Sequence, residues 1–113
     1  MLEKILVDLN RVDGVTGSII LKDIFKKPEI EAIRMPKGIK SESIVEAVGS
    51  VVSVFNKVGD KMGTGKIENI MANYEGGKVL AFVKDDKALV AVADGSANLG
   101  LMKAFMTRLL EDI

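Results

Sequence analysis

Leu2, Ile5, Leu6, Leu9 and Val12 recur at the three- and four-residue spacing of one helical face, and Asp13-Gly14 ends the pattern. This predicts an amphipathic helix of about three turns. Val15 to Lys22 is rich in β-branched residues and reads as a strand. From 23 to 40 the chain is punctuated by Pro28, Pro36 and Gly38. Glu29 to Met35 alternates loosely enough for one edge strand. Ser43 and Glu46 have capping-box spacing, so a long helix is expected from there to about Met62, before Gly63-Thr64-Gly65.

On that helix Ile44, Val45, Ala47, Val48, Val51, Val52, Val54, Phe55 and Val58 cover roughly half the circumference. A helix lying on one sheet needs a narrower stripe, so a second apolar neighbour is implied. Gly49, Ser50 and Ser53 occupy the remaining face. They are either simply solvated or small enough to let another backbone approach.

Three strands follow, Lys66 to Tyr74, Lys78 to Lys84 and Ala88 to Asp94, joined at Gly76-Gly77 and Asp85-Asp86 as an antiparallel meander. Val79 to Val83 and Leu89 to Ala93 are apolar at every position, which requires both faces of those strands to be covered. Asn98 can cap a last helix carrying Met102, Phe105, Met106, Leu109, Leu110 and Ile113 on one side. The expected order is α-β-β-α-β-β-β-α: one α+β domain over residues 1–113, with a central five-stranded antiparallel sheet and helices on both faces.

Composition narrows the chemistry. The chain has no cysteine and no histidine, which removes thiol catalysis, disulfides, and the commonest general base and metal ligand. Lys+Arg and Asp+Glu balance at 16 each, with Lys26-Lys27 the densest basic cluster, and aromatics are only 4%. Neither a basic stripe nor a base-stacking platform is available for nucleic acid. A chain with no net charge has little self-repulsion to oppose association. Charges interrupt the apolar residues of Met1-Leu2-Glu3-Lys4-Ile5, and no apolar run approaches the roughly 20 residues of a membrane span. A cytoplasmic protein without membrane insertion is expected.

Candidate catalytic groups are few. Gly63-Thr64-Gly65-Lys66 resembles a phosphate-binding loop but joins a helix to a strand, has Asp60 at the first position and Ile67 after the lysine. A plain connection is the better reading. Asp85 and Asp86 suit a hairpin turn, and neither they nor Glu75 and Asp94 have calcium-loop spacing. Ser53 and Lys57 share a polar helix face without a nucleophile motif. The only arginines, Arg11, Arg34 and Arg108, have surface positions. No catalytic, cofactor or metal site is expected, and the chain is read as a non-enzyme.

Val12-Asp13-Gly14-Val15-Thr16-Gly17-Ser18-Ile19-Ile20 and Asp94-Gly95-Ser96-Ala97-Asn98-Leu99-Gly100-Leu101-Met102, at this spacing and around the β-meander, resemble the roadblock family of dynein-light-chain-like and GTPase-regulatory domains. The resemblance spans nearly the whole chain. Asp23-Ile24-Phe25-Lys26-Lys27-Pro28 departs from it, replacing the family's tight acidic-glycine turn, and leaves the register of the second strand open. Ile24 and Phe25 are expected to pack under a helix.

The resemblance implies a profilin-like architecture and a dimer, either of identical chains or with a related roadblock domain. Third strands would pair edge to edge and long helices side by side, through Val48, Val51, Val52, Phe55, Ile67, Ile70 and Ala72. It also implies a Ras-like small GTPase bound around Glu46, Gly49, Ser50, Ser53 and Lys57. A small-molecule-sensing module, and a structural adaptor in a motor or membrane-associated complex, are the alternatives.

Overall fold

The computed structural model describes all 113 residues. Its elements are α1 (Leu2–Asn10), β1 (Val15–Lys22), β2 (Glu29–Arg34), α2 (Ser41–Met62), β3 (Asn69–Tyr74), β4 (Gly77–Lys84), β5 (Lys87–Asp94) and α3 (Leu99–Leu110). The five strands form one sheet in the order β2-β1-β5-β4-β3, every neighbouring pair antiparallel. The expected α+β order and sheet are both present.

Helices lie on both faces, as the uninterrupted apolar strands require. On one face α1 and α3 bring Leu6, Leu9, Met102 and Met106 onto Ile20, Leu80, Leu89 and Ala91. On the other, Val45 and Val52 of α2 meet Ile19, Leu21, Ala81, Ala88 and Val90. Successive residues of β5 therefore enter opposite cores. The one fully buried polar side chain, Ser18, donates to the Asn10 side chain, which in turn donates to the Arg34 carbonyl and ties α1 to the β1–β2 pair.

Several local details differ from the expectations. No capping box forms at Ser43 and Glu46. The helix starts at Ser41, with Lys40 at the N-cap and no side-chain cap, so Ser43 already lies inside it. Packing of Val45 and Ile44 against the sheet, not capping, sets where α2 begins. Its other end behaves as expected. Gly63 takes a left-handed conformation (φ 72°), and the N–H groups of Gly63 and Thr64 close onto the Asp60 and Gly59 carbonyls. The loop with a phosphate-binding look is thus a helix C-cap at a carbonyl end, where an anion is disfavoured.

β3 begins at Asn69, three residues later than expected, and its hairpin turns at Glu75-Gly76, with Gly77 already paired to Tyr74. The register of β2 is resolved by a bulge. Ile20 faces Ala32 and Leu21 faces Ile30, so Glu31 is the extra residue. Its carboxylate lies 3.0 Å from the Lys87 ammonium. Ile24 is fully buried beneath α2, as expected, whereas Phe25 is 38% exposed.

Asn98 caps α3 through a 2.9 Å bond from the Leu101 N–H. Just before it, Asp94 accepts from both the side chain and the backbone N–H of Ser96, and these bonds hold its carboxyl below the ordinary 3.8. Because the folded value is depressed, the contribution to stability is complete above the ordinary value and is lost as pH falls through the folded one. Asp94→Asn should therefore flatten the acid side of the stability profile and leave its neutral-to-alkaline shape unchanged. Denaturant unfolding at fixed protein concentration, from about pH 7 to about pH 2.5, checks this.

Candidate protein-interaction surface

The outer face of α2 is the most unusual surface of the molecule. At about 100° per residue, Val45, Gly49 and Val52 share the side turned to the sheet. From there Val48, Phe55, Val51, Val58, Ala47 and Val54 follow one another around a single flank through a further arc of about 120°. Most of this flank is open: Val51 is 41% exposed, Phe55 54%, Val54 57% and Met62, a turn beyond, 69%. The opposite flank carries Glu46, Ser50, Ser53, Lys57 and Asp60. One helix thus has an apolar and a polar side above the same buried stripe.

The apolar flank borders β3. Between them runs a groove of about 110 Å³ lined only by apolar residues. Ala47, Val48 and Val51 form the helix wall, Ile70, Ala72 and Tyr74 the strand wall, and Val52, Val79 and Ala81 complete the lining. Ile70, Ala72 and Tyr74 alternate along β3, which puts all three on the α2 side of the pleat.

The sheet has two outer edges of opposite character. At β2 the edge is blunted by Pro28 and Pro36 around the strand, by Glu29, Glu31 and Arg34 within it, and by the bulge. At β3 there is no charge, proline or bulge in Asn69-Ile70-Met71-Ala72-Asn73-Tyr74. One rim of β3 is bonded to β4 and the other has no strand beside it. The edge without safeguards is the one that adjoins the apolar groove.

The expected interface residues divide between these surfaces and the core. Val51 and Phe55 are exposed on the apolar flank, Val48 is half-buried in the groove wall, and Ile70 and Ala72 face them from β3. Ile67 precedes the strand and is half-buried, its N–H held by the Asn56 side chain at 3.0 Å. Val52 is fully buried and supports the groove from below. Of the second set, Glu46, Ser50 and Lys57 are exposed and Ser53 is half-buried.

Gly49 is buried, and what approaches it is a side chain of the same chain: a Cβ there would overlap the ring of Pro28. Val54, Val58, Met62 and Tyr74 belong to the exposed surface but were not among the expected site residues. The helical wheel marks the two valines, and alternation with Ile70 and Ala72 marks the tyrosine.

The groove and the flank beside it present apolar packing surface. No group of three or more metal-ligating side chains occurs anywhere in the chain, and Asp94, the carboxylate with a shifted pKa, caps a loop at the end of β5. No helix is long and apolar enough to cross a membrane.

No family model matches the chain. Three uncharacterised proteins of Methanocaldococcus jannaschii align over all 113 residues at 26–27% identity, and the alignment covers 93–96% of each relative. Among solved structures, a Roadblock/LC7 domain from Streptomyces avermitilis superposes with a TM-score of 0.84 at 12% identity, covering 96% of this chain and 91% of that one. The gliding protein MglB of Thermus thermophilus superposes at 0.82 and 16% identity, over 95% and 81%. An MglB in a tetrameric arrangement superposes at 0.85 and 17%, over 97% and 82%. The chain has the roadblock-type fold.

The seat of Pro28 on Gly49 has a direct consequence. Overpacking against a rigid ring costs about 1–3 kcal/mol, more than the few tenths that valine gains over glycine in a helix. Gly49→Val should lower the unfolding free energy by about 1–2 kcal/mol. Adding Pro28→Ala should recover part of the loss, because the two residues share one contact. Denaturant titration of the two single variants and the double variant measures the coupling.

Proposed function

We propose that this roadblock-fold chain is a non-enzymatic scaffold. It pairs through β3 and the apolar flank of α2, with itself or a related roadblock domain, and presents the polar flank of α2 to a Ras-like small GTPase. One observation carries the pairing: the exposed apolar arc, the apolar groove and the unguarded strand edge are contiguous. Antiparallel addition of a second β3 would satisfy the open N–H and C=O groups of that edge and extend the sheet. It would also bring a second α2 alongside the first, burying Val51 and Phe55 on each copy. A standard interface buries about 1,600 Å² in total.

The GTPase half rests on the fold shared with Roadblock/LC7 and MglB structures and on what survives pairing. With the apolar flanks covered, Glu46, Ser50 and Lys57 stay exposed and Ser53 half-buried on each copy, beside the loop of Lys26 and Pro28. Small serines between an acid and a base give a shallow, closely approachable surface. Lacking histidine and any catalytic cluster, the scaffold would act by repositioning the partner's own residues. The groove is well below the roughly 300–1,000 Å³ of small-molecule pockets, and Tyr74 is the one residue of its lining with a polar side-chain group, which weighs against a sensor site in the groove.

Light scattering should return twice the chain mass at micromolar concentration. Val51→Lys should shift the species to a folded monomer with unchanged far-ultraviolet dichroism. A wild-type monomer at high concentration sinks the pairing. For the second half, purified small GTPases from the same cell are titrated in their diphosphate and triphosphate states. Binding that Ser53→Arg weakens at least about tenfold supports the assignment; absence of binding in either state removes it.

A further inference from the structure

Two hollows adjoin along the seam between α2 and the segment that follows β1. The first, of about 480 Å³, is walled by Pro28, Glu29 and Ile30 on one side and by Glu42, Val45 and Glu46 on the other. The second, of about 390 Å³, shares Pro28 and Glu46 with the first and continues to Lys26, Ser50, Ser53 and Val54. The two form one continuous groove. Its outer wall includes Lys26 and Pro28, from the stretch in which this chain departs from the roadblock pattern. Ile24 beneath α2 and Pro28 on Gly49 fix that wall to the helix, so the groove is formed before any partner arrives.

The groove is polarised. Glu42 and Glu46 stand at i and i+4 on α2, and Glu29 joins them in the first hollow. Glu29 lies 3.7 Å from the Lys22 ammonium, but the two helical glutamates belong to none of the ion pairs in the chain. Like charges at this spacing repel and weaken a helix, and a cation placed between them removes the penalty. In the second hollow the exposed Lys26 is likewise unpaired, and it shares the space with the hydroxyls of Ser50 and Ser53. Lys57, also exposed and unpaired, stands one turn beyond Ser53 on the same flank. From Glu46 to Ser53 the helix rises about 10 Å. An acidic end and a basic end therefore lie about that far apart, with the Pro28 ring between them.

We infer that this groove sets the specificity of the small-GTPase contact by accepting a segment of opposite polarity. The segment carries a cationic side chain over Glu42 and Glu46 and a carboxylate that Lys26, Ser50 and Ser53 receive, with apolar atoms on Pro28 between them. The inference rests on the GTPase reading above and adds the chemistry of the partner's surface. Complementary charges steer the encounter and fix its direction. A segment with its charges reversed, or with one sign throughout, meets a like charge at one end and is rejected.

Reversing one charge at each end separates a polarised contact from attraction by net charge. Glu46→Lys and Lys26→Glu both change exposed side chains, and dichroism with thermal unfolding confirms that each variant is folded. Each is titrated with the purified small GTPases from the same cell, in both nucleotide states. Glu111→Lys and Lys103→Glu, exposed positions at or beyond α3 on the opposite face, supply the same net charge changes as controls. Both groove reversals should weaken binding at least about tenfold, and both controls should stay within about twofold of wild type. A partner drawn by net charge would lose affinity on one groove reversal and gain it on the other. That outcome, or binding that Ser53→Arg weakens while neither groove reversal does, overturns the polarised groove and leaves the GTPase reading standing. A chain that binds no small GTPase in either state removes both.

Discussion

The structure depends on a mismatch between the width of a sheet and the width of a helix. Four inter-strand spacings of about 4.8 Å separate the outer strands by about 19 Å, while a helix with its side chains covers about 10 Å. β4 and β5 are apolar toward both faces, so both must be dry. On one face α1 and α3 lie side by side and close it. On the other α2 is alone. One helix over five strands leaves about half of that face to be covered by something else.

The chain solves half of this shortfall internally. Toward β2 the segment after β1 folds up beside α2, burying Ile24 against Val45 and Val52 and seating Pro28 on Gly49. A bond from the Ile24 N–H to the Asp86 carbonyl at 2.9 Å fixes the segment to the β4–β5 turn. Toward β3 no such segment exists, and the uncovered strip is the apolar groove. The asymmetry of α2 follows. Its flank facing the folded loop is polar because the loop already excludes water from the sheet beneath. Its flank facing β3 is apolar because nothing else does.

Much of this was legible in the sequence, because it is written in periodicities that burial enforces. Uniformly apolar β4 and β5 required cover on both sides, and the arc from Ile44 to Val58 was too wide for one neighbour. What was not legible depended on contacts distant in sequence. The capping-box spacing of Ser43 and Glu46 was real, but packing of Val45 started the helix earlier. Gly49 read as a small residue on an open polar face; only the fold shows Pro28, from the other side of a strand, lying on it. Val52 belonged to the apolar arc, yet an arc does not say which of its members faces inward. The bulge at Glu31 left no local mark, since Glu29 to Met35 alternates equally well in either register.

The same mismatch separates the two proposed roles of α2. A surface that held a permanent subunit and a transient partner through the same side chains would force the two to compete. Here the sheet divides them. The β3 side offers greasy area and a free strand edge, which suit an interaction never exposed to water once made. The β2 side offers serines and single charges over a loop anchored at Ile24 and Pro28, which suit an interaction that must also dissociate. Because the buried stripe of Val45, Gly49 and Val52 lies between the flanks, each is held by the same rigid helix. Pairing would therefore set the spacing of the two polar flanks without altering either one, and a partner reading both would sense the dimer through geometry alone.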